Sequence, residues 1–182
     1  MIWIALAFTF FLGMMTWSFS EYALHNWVGH KMKGRNHFSR EHLTHHSKGD
    51  YFTPTPEKIR VGVIVIGGVA VALGAVIGWE WGISYALGLG FAYTGYEVIH
   101  RRIHTHAPLN GYGRWARRHH LFHHFGNAKM NHGVTSPIWD MVFGTYVNPE
   151  TIKVPRKMAT VWMIDPTTDD IHVQYKADYV LR

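Results

Sequence analysis

The sequence predicts an all-α integral membrane protein with about three transmembrane helices and a cytoplasmic, histidine-rich helical cap. Three runs, 1–20, 61–79 and 81–99, carry almost no charge. Each is long enough to cross the roughly 30 Å apolar layer of a bilayer as a helix. Histidine accounts for 15 of the 182 residues, and most histidines lie just outside these runs. Cysteine is absent, which excludes disulfides and thiolate metal sites.

The first run could instead be a secretory signal peptide. It has neither a basic start nor a small-residue cleavage site, so we expect a retained helix. Only Trp79-Glu80-Trp81-Gly82 separates the second and third runs, which predicts an antiparallel hairpin of two membrane helices. A buried hairpin in a soluble protein is the alternative, and two adjacent runs of this length argue against it.

Basic residues predict the orientation of these helices. Lysine and arginine are dense after the first and third runs, and absent from the Met1 end and from the 79–82 turn. Because cytoplasmic loops collect basic side chains, the N-terminus and the turn are expected outside and all histidine clusters in the cytoplasm. The net charge is +6, and the basic residues lie next to the apolar runs. We therefore expect them to contact a membrane surface and do not expect nucleic acid as a partner.

Four histidine clusters suggest a metal site. Two boxes have the spacing H-x-x-H-H, and two further pairs have the spacings H-x4-H and H-x3-H. On a helix, residues three and four apart share a face, so each box should point three imidazoles at one spot. Two such boxes can surround one metal centre together; a solvated helix face is the alternative for the earlier box. The ten candidate metal ligands are His25, His30, His42, His45, His46, His100, His104, His120, His123 and His124.

The first pair and the last box carry ambiguities. His25 and His30 lie ~140° apart on an ideal helix, so they converge only if the helix ends or bends near Gly29, or if each approaches from its own flank. Two interfacial histidines beside a tryptophan are the alternative for that pair. In the last box, His119 occupies the position that Glu41 has in the earlier one, so we expect both outside the ligand set.

Glu97 and His100 form an E-x-x-H motif, which is typical of carboxylate-bridged di-iron bundles. That architecture needs a second copy of the motif, and the chain has none. A histidine-only site is therefore the better account, with Glu97 as a possible partner behind the ligands. His106 and His172 are left out of the ligand set. Nitrogen and oxygen donors suit iron, zinc, manganese or copper.

The order of the four clusters resembles the fatty acid hydroxylase and sterol desaturase superfamily of membrane di-iron enzymes. The resemblance covers about residues 17–147, and it extends to Glu21-Tyr22, Tyr96-Glu97, Gly-Val-Thr-Ser-Pro-Ile-Trp-Asp at 133–140 and Phe-Gly-Thr at 143–145. It implies a di-metal hydroxylase domain over 1–147, with two iron ions held by the ten histidines. It also implies that O2 and external electrons are used to hydroxylate or desaturate an apolar lipid chain, such as a fatty acyl chain or a related lipid.

The resemblance carries further expectations about cofactor and partners. Longer members have four membrane helices, and some carry a fused haem domain. This sequence shows three apolar runs and no pattern of such a domain, so we expect a separate electron donor, a ferredoxin or a small haem cytochrome. We expect a bacterial inner membrane with the site on its cytoplasmic face. Zinc can replace iron in a purified sample, because nitrogen sites bind zinc more tightly than ferrous iron.

Two other functions remain as alternatives. Bacterial carotenoid hydroxylases have similar boxes, but their third pair is typically H-x4-H, whereas His100 and His104 are H-x3-H. A non-catalytic membrane metal-binding protein would also need histidine clusters, although not such regular spacing. A zinc hydrolase fits poorly, because ten ligands far exceed three plus water.

Residues 148–182 are expected to form a cytoplasmic tail. In this segment, Thr160 to Ile164 and Ile171 to Tyr175 could pair as a small hairpin across Asp165 to Asp170.

Overall fold

The computed structural model describes residues 1–182 and is built mostly of α-helices. It divides into two compact units, and each combines two separate stretches of chain. The first unit holds residues 1–21 and 53–98, and the second holds residues 22–52 and 99–182. The predicted division of the chain at residue 147 stays a prediction.

Six helices make up most of the chain. They are α1 Ile2–Ala23, α2 His37–Ser47, α3 Thr55–Ile77, α4 Trp79–Thr105, α5 Gly111–Phe125 and α6 Ile138–Val142. A π-helical turn, Leu24–His30, directly continues α1. Two stretches are long and apolar enough to cross a membrane, Ile2–His30 and Thr55–Ile77. The third predicted span lies within α4, which is less apolar than these two stretches, so the count of three stays a prediction.

Glycines allow close helix packing in the first unit. A Cβ at Gly13 would collide with the Tyr85 carbonyl, and one at Gly88 with the Phe10 carbonyl, so α1 and α4 cross in backbone contact. The hydroxyl of Ser84 adds a hydrogen bond of 2.7 Å to a carbonyl of α1.

The helices α3 and α4 are joined more tightly than the sequence suggested. Gly78 alone separates them, with φ of 104°, a left-handed conformation that favours glycine. The predicted turn at residues 79–82 is instead the first turn of α4. The two tryptophans there are compatible with helix, so only Gly78 was a reliable stop signal.

Asparagines cap the two box-bearing helices of the second unit. The Asn36 side chain accepts a hydrogen bond from the Ser39 N–H at 2.7 Å, and Asn110 accepts one from the Gly113 N–H at 2.8 Å. Each satisfies an N–H that the first turn of a helix leaves unpaired. The caps set where α2 and α5 begin, and thus which way their histidines point.

Short strands follow α6. They are β1 Ile152–Val154, β2 Ile164–Asp165, β3 Asp170–Ile171 and β4 Tyr179–Leu181. β1 pairs with β4 in parallel, and β2 pairs with β3 antiparallel. The predicted hairpin is present only as two residues on each side, since 161–163 and 173–175 form 3-10 turns. Buried Ile152, Val154 and Met163 form part of an apolar core in this region.

Candidate metal centres

The ten predicted histidines come together as two groups of five, all within the second unit. In each group, five ligand nitrogens lie within 4.8 Å of one another. Group A consists of His25, His30, His42, His46 and His123. Group B consists of His45, His100, His104, His120 and His124. The structure therefore presents two candidate metal centres.

Each H-x-x-H-H box is divided between the two groups, so the prediction that a box serves a single spot was wrong. In α2, His42 and His46 belong to group A, while His45 belongs to group B. On a helix, residues four apart are rotated by only ~40°, whereas the residue at the third position lies ~60° to the other side. Each box-bearing helix thus stands between the two groups and supplies both.

The π-helical turn brings His25 and His30 onto one face. Its i→i+5 hydrogen-bonding pattern includes the Lys31 N–H donating to the Asn26 carbonyl at 3.1 Å. Residues five apart line up in this wider turn, which an ideal α-helix does not allow. Gly29 makes room beside them, because a Cβ there would lie 2.7 Å from Cδ2 of His42. The structure thus resolves the ambiguity of this pair in favour of convergence.

Two tautomers in group A can be assigned from backbone contacts. Nδ1 of His25 lies 2.5 Å from the His132 carbonyl oxygen, and Nδ1 of His123 lies 2.7 Å from the Met130 carbonyl oxygen. A carbonyl only accepts, so both Nδ1 atoms carry the hydrogen and both Nε2 atoms of the neutral rings carry a lone pair. These two Nε2 atoms are 2.8 Å apart. Facing lone pairs repel unless a cation lies between them.

The nitrogen spacings fit a common ion in each group. In group A, Nε2 of His30 lies 2.8 Å from that of His123 and 2.9 Å from that of His42. In group B, Nε2 of His120 lies 3.1 Å from that of His100 and 3.0 Å from that of His104. Two nitrogens bound at right angles about 2.1 Å from one ion would be about 3.0 Å apart. The donor sets therefore suit a divalent metal.

Burial keeps these histidines neutral, which is the form that binds metal. Burial lowers the pKa of His42, His120 and His124 well below the ordinary value of 6.5, and neighbouring imidazoles lower it further. A second proton on any ring would place a charge beside four other rings in a site shielded from water. The groups are thus poised to receive a cation.

His119 and Glu41 lie outside both groups. Nε2 of His119 is 3.1 Å from Oδ2 of Asp140, and both side chains are buried. Glu41 instead accepts a hydrogen bond from the Tyr51 hydroxyl at 2.6 Å. The residue that precedes each box, Glu41 or His119, therefore contacts a side chain outside the two histidine groups. The identity of the directly bound ligands stays a prediction.

Glu97 forms an ion pair with Lys58, at 2.5 Å between Oε2 and Nζ, within the first unit. The expectation that Glu97 supports the metal ligands without binding the metal stays a prediction. The two histidines left out of the predicted ligand set have other neighbours: His106 contacts Thr105, and Nδ1 of His172 lies 3.8 Å from Asp165.

Sequence reasoning missed His132 and the contacts of Asp140. His132 is buried, and its ring centroid lies 5.1 Å from that of His123 and 5.6 Å from that of His25. It belongs to no box, so no spacing marks it. Asp140 lies in the segment 133–140, but nothing in that pattern indicates that its carboxylate supports histidines at distant positions.

Fold and site together define a mostly helical, membrane-associated protein with two histidine-only candidate metal centres. The chain belongs to the fatty acid hydroxylase family, which it matches over residues 10–145, within the superfamily that includes sterol desaturases. The matched residues include all ten grouped histidines, which lie between residues 25 and 124.

Similar proteins with curated names are hydroxylases of fatty acyl chains. The ceramide very long chain fatty acid hydroxylase of Saccharomyces cerevisiae is 30% identical over 79% of this chain and 39% of the yeast protein. The fatty acid 2-hydroxylase of Mus musculus is 29% identical over 78% of this chain and 40% of the mouse protein. The chain thus spans about two fifths of the length of these two relatives.

A solved structure is also similar. It is described as full-length scs7p with only the hydroxylase domain visible, and it matches with a TM-score of 0.64 and 27% identity. The match covers 82% of this chain and 59% of the solved chain. These relatives do not favour the carotenoid alternative, since their names refer to fatty acyl and ceramide hydroxylation.

Proposed function

We propose that this protein is a membrane di-iron hydroxylase that inserts one oxygen atom from O2 into a C–H bond of a fatty acyl chain. The observation that carries the proposal is the convergence of ten histidines into two groups of five nitrogen donors. Membership of the fatty acid hydroxylase family supplies the reaction class. The names of the relatives suggest carbon 2 of a ceramide-linked or free fatty acyl chain.

The donor chemistry supports iron in both groups. Neutral imidazoles leave the full charge of the ions in place, and each group offers one nitrogen fewer than the six ligands of an octahedral ion. Bound iron would supply the redox chemistry that activates O2. In the overall reaction, the C–H bond, O2, two electrons and two protons give a C–OH group and one water molecule.

The protein's own contribution is to hold the donor nitrogens in place. Carbonyl groups of Met130, His132 and Tyr51 accept hydrogen bonds from the Nδ1–H groups of His123, His25 and His45. Each such bond fixes a ring orientation and directs the Nε2 lone pair inward. Burial of these rings also keeps bulk water away from the donors.

An exposed apolar surface supports access of the lipid from the bilayer. The outer face of α6 and the next residue expose Ile138, Met141, Val142 and Phe143, between 45% and 63%. The Phe143 ring stacks on the ring of Tyr22, in the last turn of α1, with the ring centroids 5.1 Å apart. A soluble protein rarely exposes such a cluster, so we propose that this face contacts lipid and that the acyl chain approaches from this side.

We further propose that the centres face the cytoplasm of a bacterial cell and that electrons come from a ferredoxin or a small haem cytochrome. The basic residues that follow the apolar runs support this orientation. A search for the donor can test both candidates by adding each, in reduced form, to the purified protein and measuring product.

The decisive experiment measures metal and product on the same preparation. The protein is purified, loaded with ferrous iron and placed in vesicles that contain a long-chain fatty acid or a ceramide. We expect two iron ions per chain and, under oxygen-18 gas with a chemical reductant, a hydroxylated lipid that carries one oxygen-18 atom. A His120→Ala variant serves as the inactive control. Two bound ions without any product would favour the non-catalytic metal-binding alternative.

A further inference from the structure

Asp140 lies at the centre of a buried hydrogen-bond network beside group A. Its Oδ1 accepts from the backbone N–H of His132 at 2.8 Å and from the Thr145 hydroxyl at 2.7 Å. Its Oδ2 accepts from the backbone N–H of Gly133 at 2.8 Å and lies 3.1 Å from Nε2 of His119. The carboxylate is fully buried, although no lysine or arginine is paired with it.

These contacts keep the carboxylate charged. Burial alone would raise the pKa of Asp140, but hydrogen bonds from His119, His132 and Thr145 outweigh it and hold the pKa well below its ordinary value of 3.8. An ionised carboxylate has acceptors only, which matches the four donors around it. Such charge-assisted bonds are stronger than neutral ones.

The segment Met130–Gly133 links Asp140 to group A. Two of its carbonyls, of Met130 and His132, accept the Nδ1–H bonds of His123 and His25. Asn131, which lies within this segment and has a φ of 57°, connects it to Val147. Its side chain accepts from the Val147 N–H at 2.7 Å and donates to the Val147 carbonyl at 2.9 Å. The segment is thus fixed at both edges.

We propose that Asp140 is a positioning residue for the group A metal ion, which it controls by holding the Met130–Gly133 segment against His25 and His123. The proposal rests on the metal centres of the proposed function and adds the means by which one of them is organised. Group B does not share this support: the Nδ1 atom of its His45 faces the Tyr51 carbonyl at 2.7 Å instead. A change at Asp140 should therefore affect one ion and spare the other.

Replacing Asp140 by asparagine keeps the shape of the side chain but removes one of the two oxygen acceptors that the surrounding donors require. A carboxamide has one oxygen and one NH2 group, so whichever way it turns, the NH2 faces a backbone N–H, of either His132 or Gly133. That backbone N–H is left buried without an acceptor. We expect the segment to shift and the two carbonyls to lose their hold on His25 and His123.

The test counts metal ions during a chelator titration of Asp140→Asn, the unaltered protein and a control, Asp169→Asn. Asp169 is 84% exposed and pairs only with Arg156 on the surface, so the control makes the same chemical change without the buried network. We expect the control to match the unaltered protein. Asp140→Asn should release one of its two ions at about 10–100-fold lower chelator concentration and keep the other unchanged.

Double variants assign the effect to a group. Adding Asp140→Asn to a His25→Ala variant should change chelator sensitivity little further, whereas adding it to a His100→Ala variant should still weaken the remaining ion. Equal loss of both ions, with a matching fall in melting temperature, would show a general structural role and overturn the proposal. Retention of both ions would overturn it as well. If the unaltered protein itself binds no metal, the proposed function fails, which is a separate result.

Discussion

The replacement Gly29→Ala should disable group A through a single methyl group. A Cβ at this position would lie 2.7 Å from Cδ2 and 3.1 Å from Cγ of His42, whereas ordinary contacts begin at 3.4 Å. The imidazole must therefore retreat by about 0.7 Å, more than the about 0.5 Å within which a functional constellation has to be held. Because Gly29 lies within the π-helical turn and the three nearest atoms all belong to the His42 ring, the ring is the part that yields.

The magnitude follows from that displacement. A misplacement of about 1 Å at a reacting centre can cost about 100-fold in rate, so we expect turnover of the iron-loaded variant to fall by about 10–100-fold. Overpacking should also lower the free energy of unfolding by about 1–3 kcal/mol. The assay is hydroxylated lipid per iron per minute, together with the number of ions retained against a chelator.

A matched control separates this steric effect from a general effect of glycine replacement. Gly95 lies within α4, and a Cβ there would meet no atom within 4 Å. Gly95→Ala should therefore leave turnover and metal content unchanged. If Gly29→Ala retains full turnover and both ions, His42 does not need its present position, and the assignment of His42 to group A is wrong.

Four further predictions follow from the structure. His120→Ala should lose one metal ion, whereas His119→Ala should keep both and retain measurable activity; metal counting on the two purified variants decides this. Arg117→Ala should lower the free energy of unfolding by about 3 kcal/mol, because the buried guanidinium donates to carbonyls at the end of α4; a melting curve measures it, with exposed Arg156→Ala as the control. The metal-free protein should lose stability as the pH falls below about 6.5, because the buried histidines have lowered pKa values and the unfolded chain then binds more protons; melting temperatures between about pH 8 and about pH 5 test the sign. A cysteine at exposed Glu80 should react with an impermeant maleimide in intact cells, since the chain has no other cysteine; labelling only after lysis would reverse the orientation.

The sequence by itself predicted the helical class, the ten histidines that come together in the structure, and the family. Long uncharged runs leave few alternatives to helices, because a bilayer requires every backbone group to be satisfied within the segment. Histidine spacing within one helix is a local property, so the pairs at positions i and i+4 could be predicted directly.

The tertiary structure decided how those histidines are shared. A helix presents residues at i and i+3 on slightly different sides, and only the surrounding helices determine whether the two sides serve one ion or two. The π-helical turn at 24–30 could not be predicted either, because it depends on how the chain packs beside α2. Asp140 reaches His25 through the backbone of His132, and contacts between residues so distant in sequence leave no local pattern.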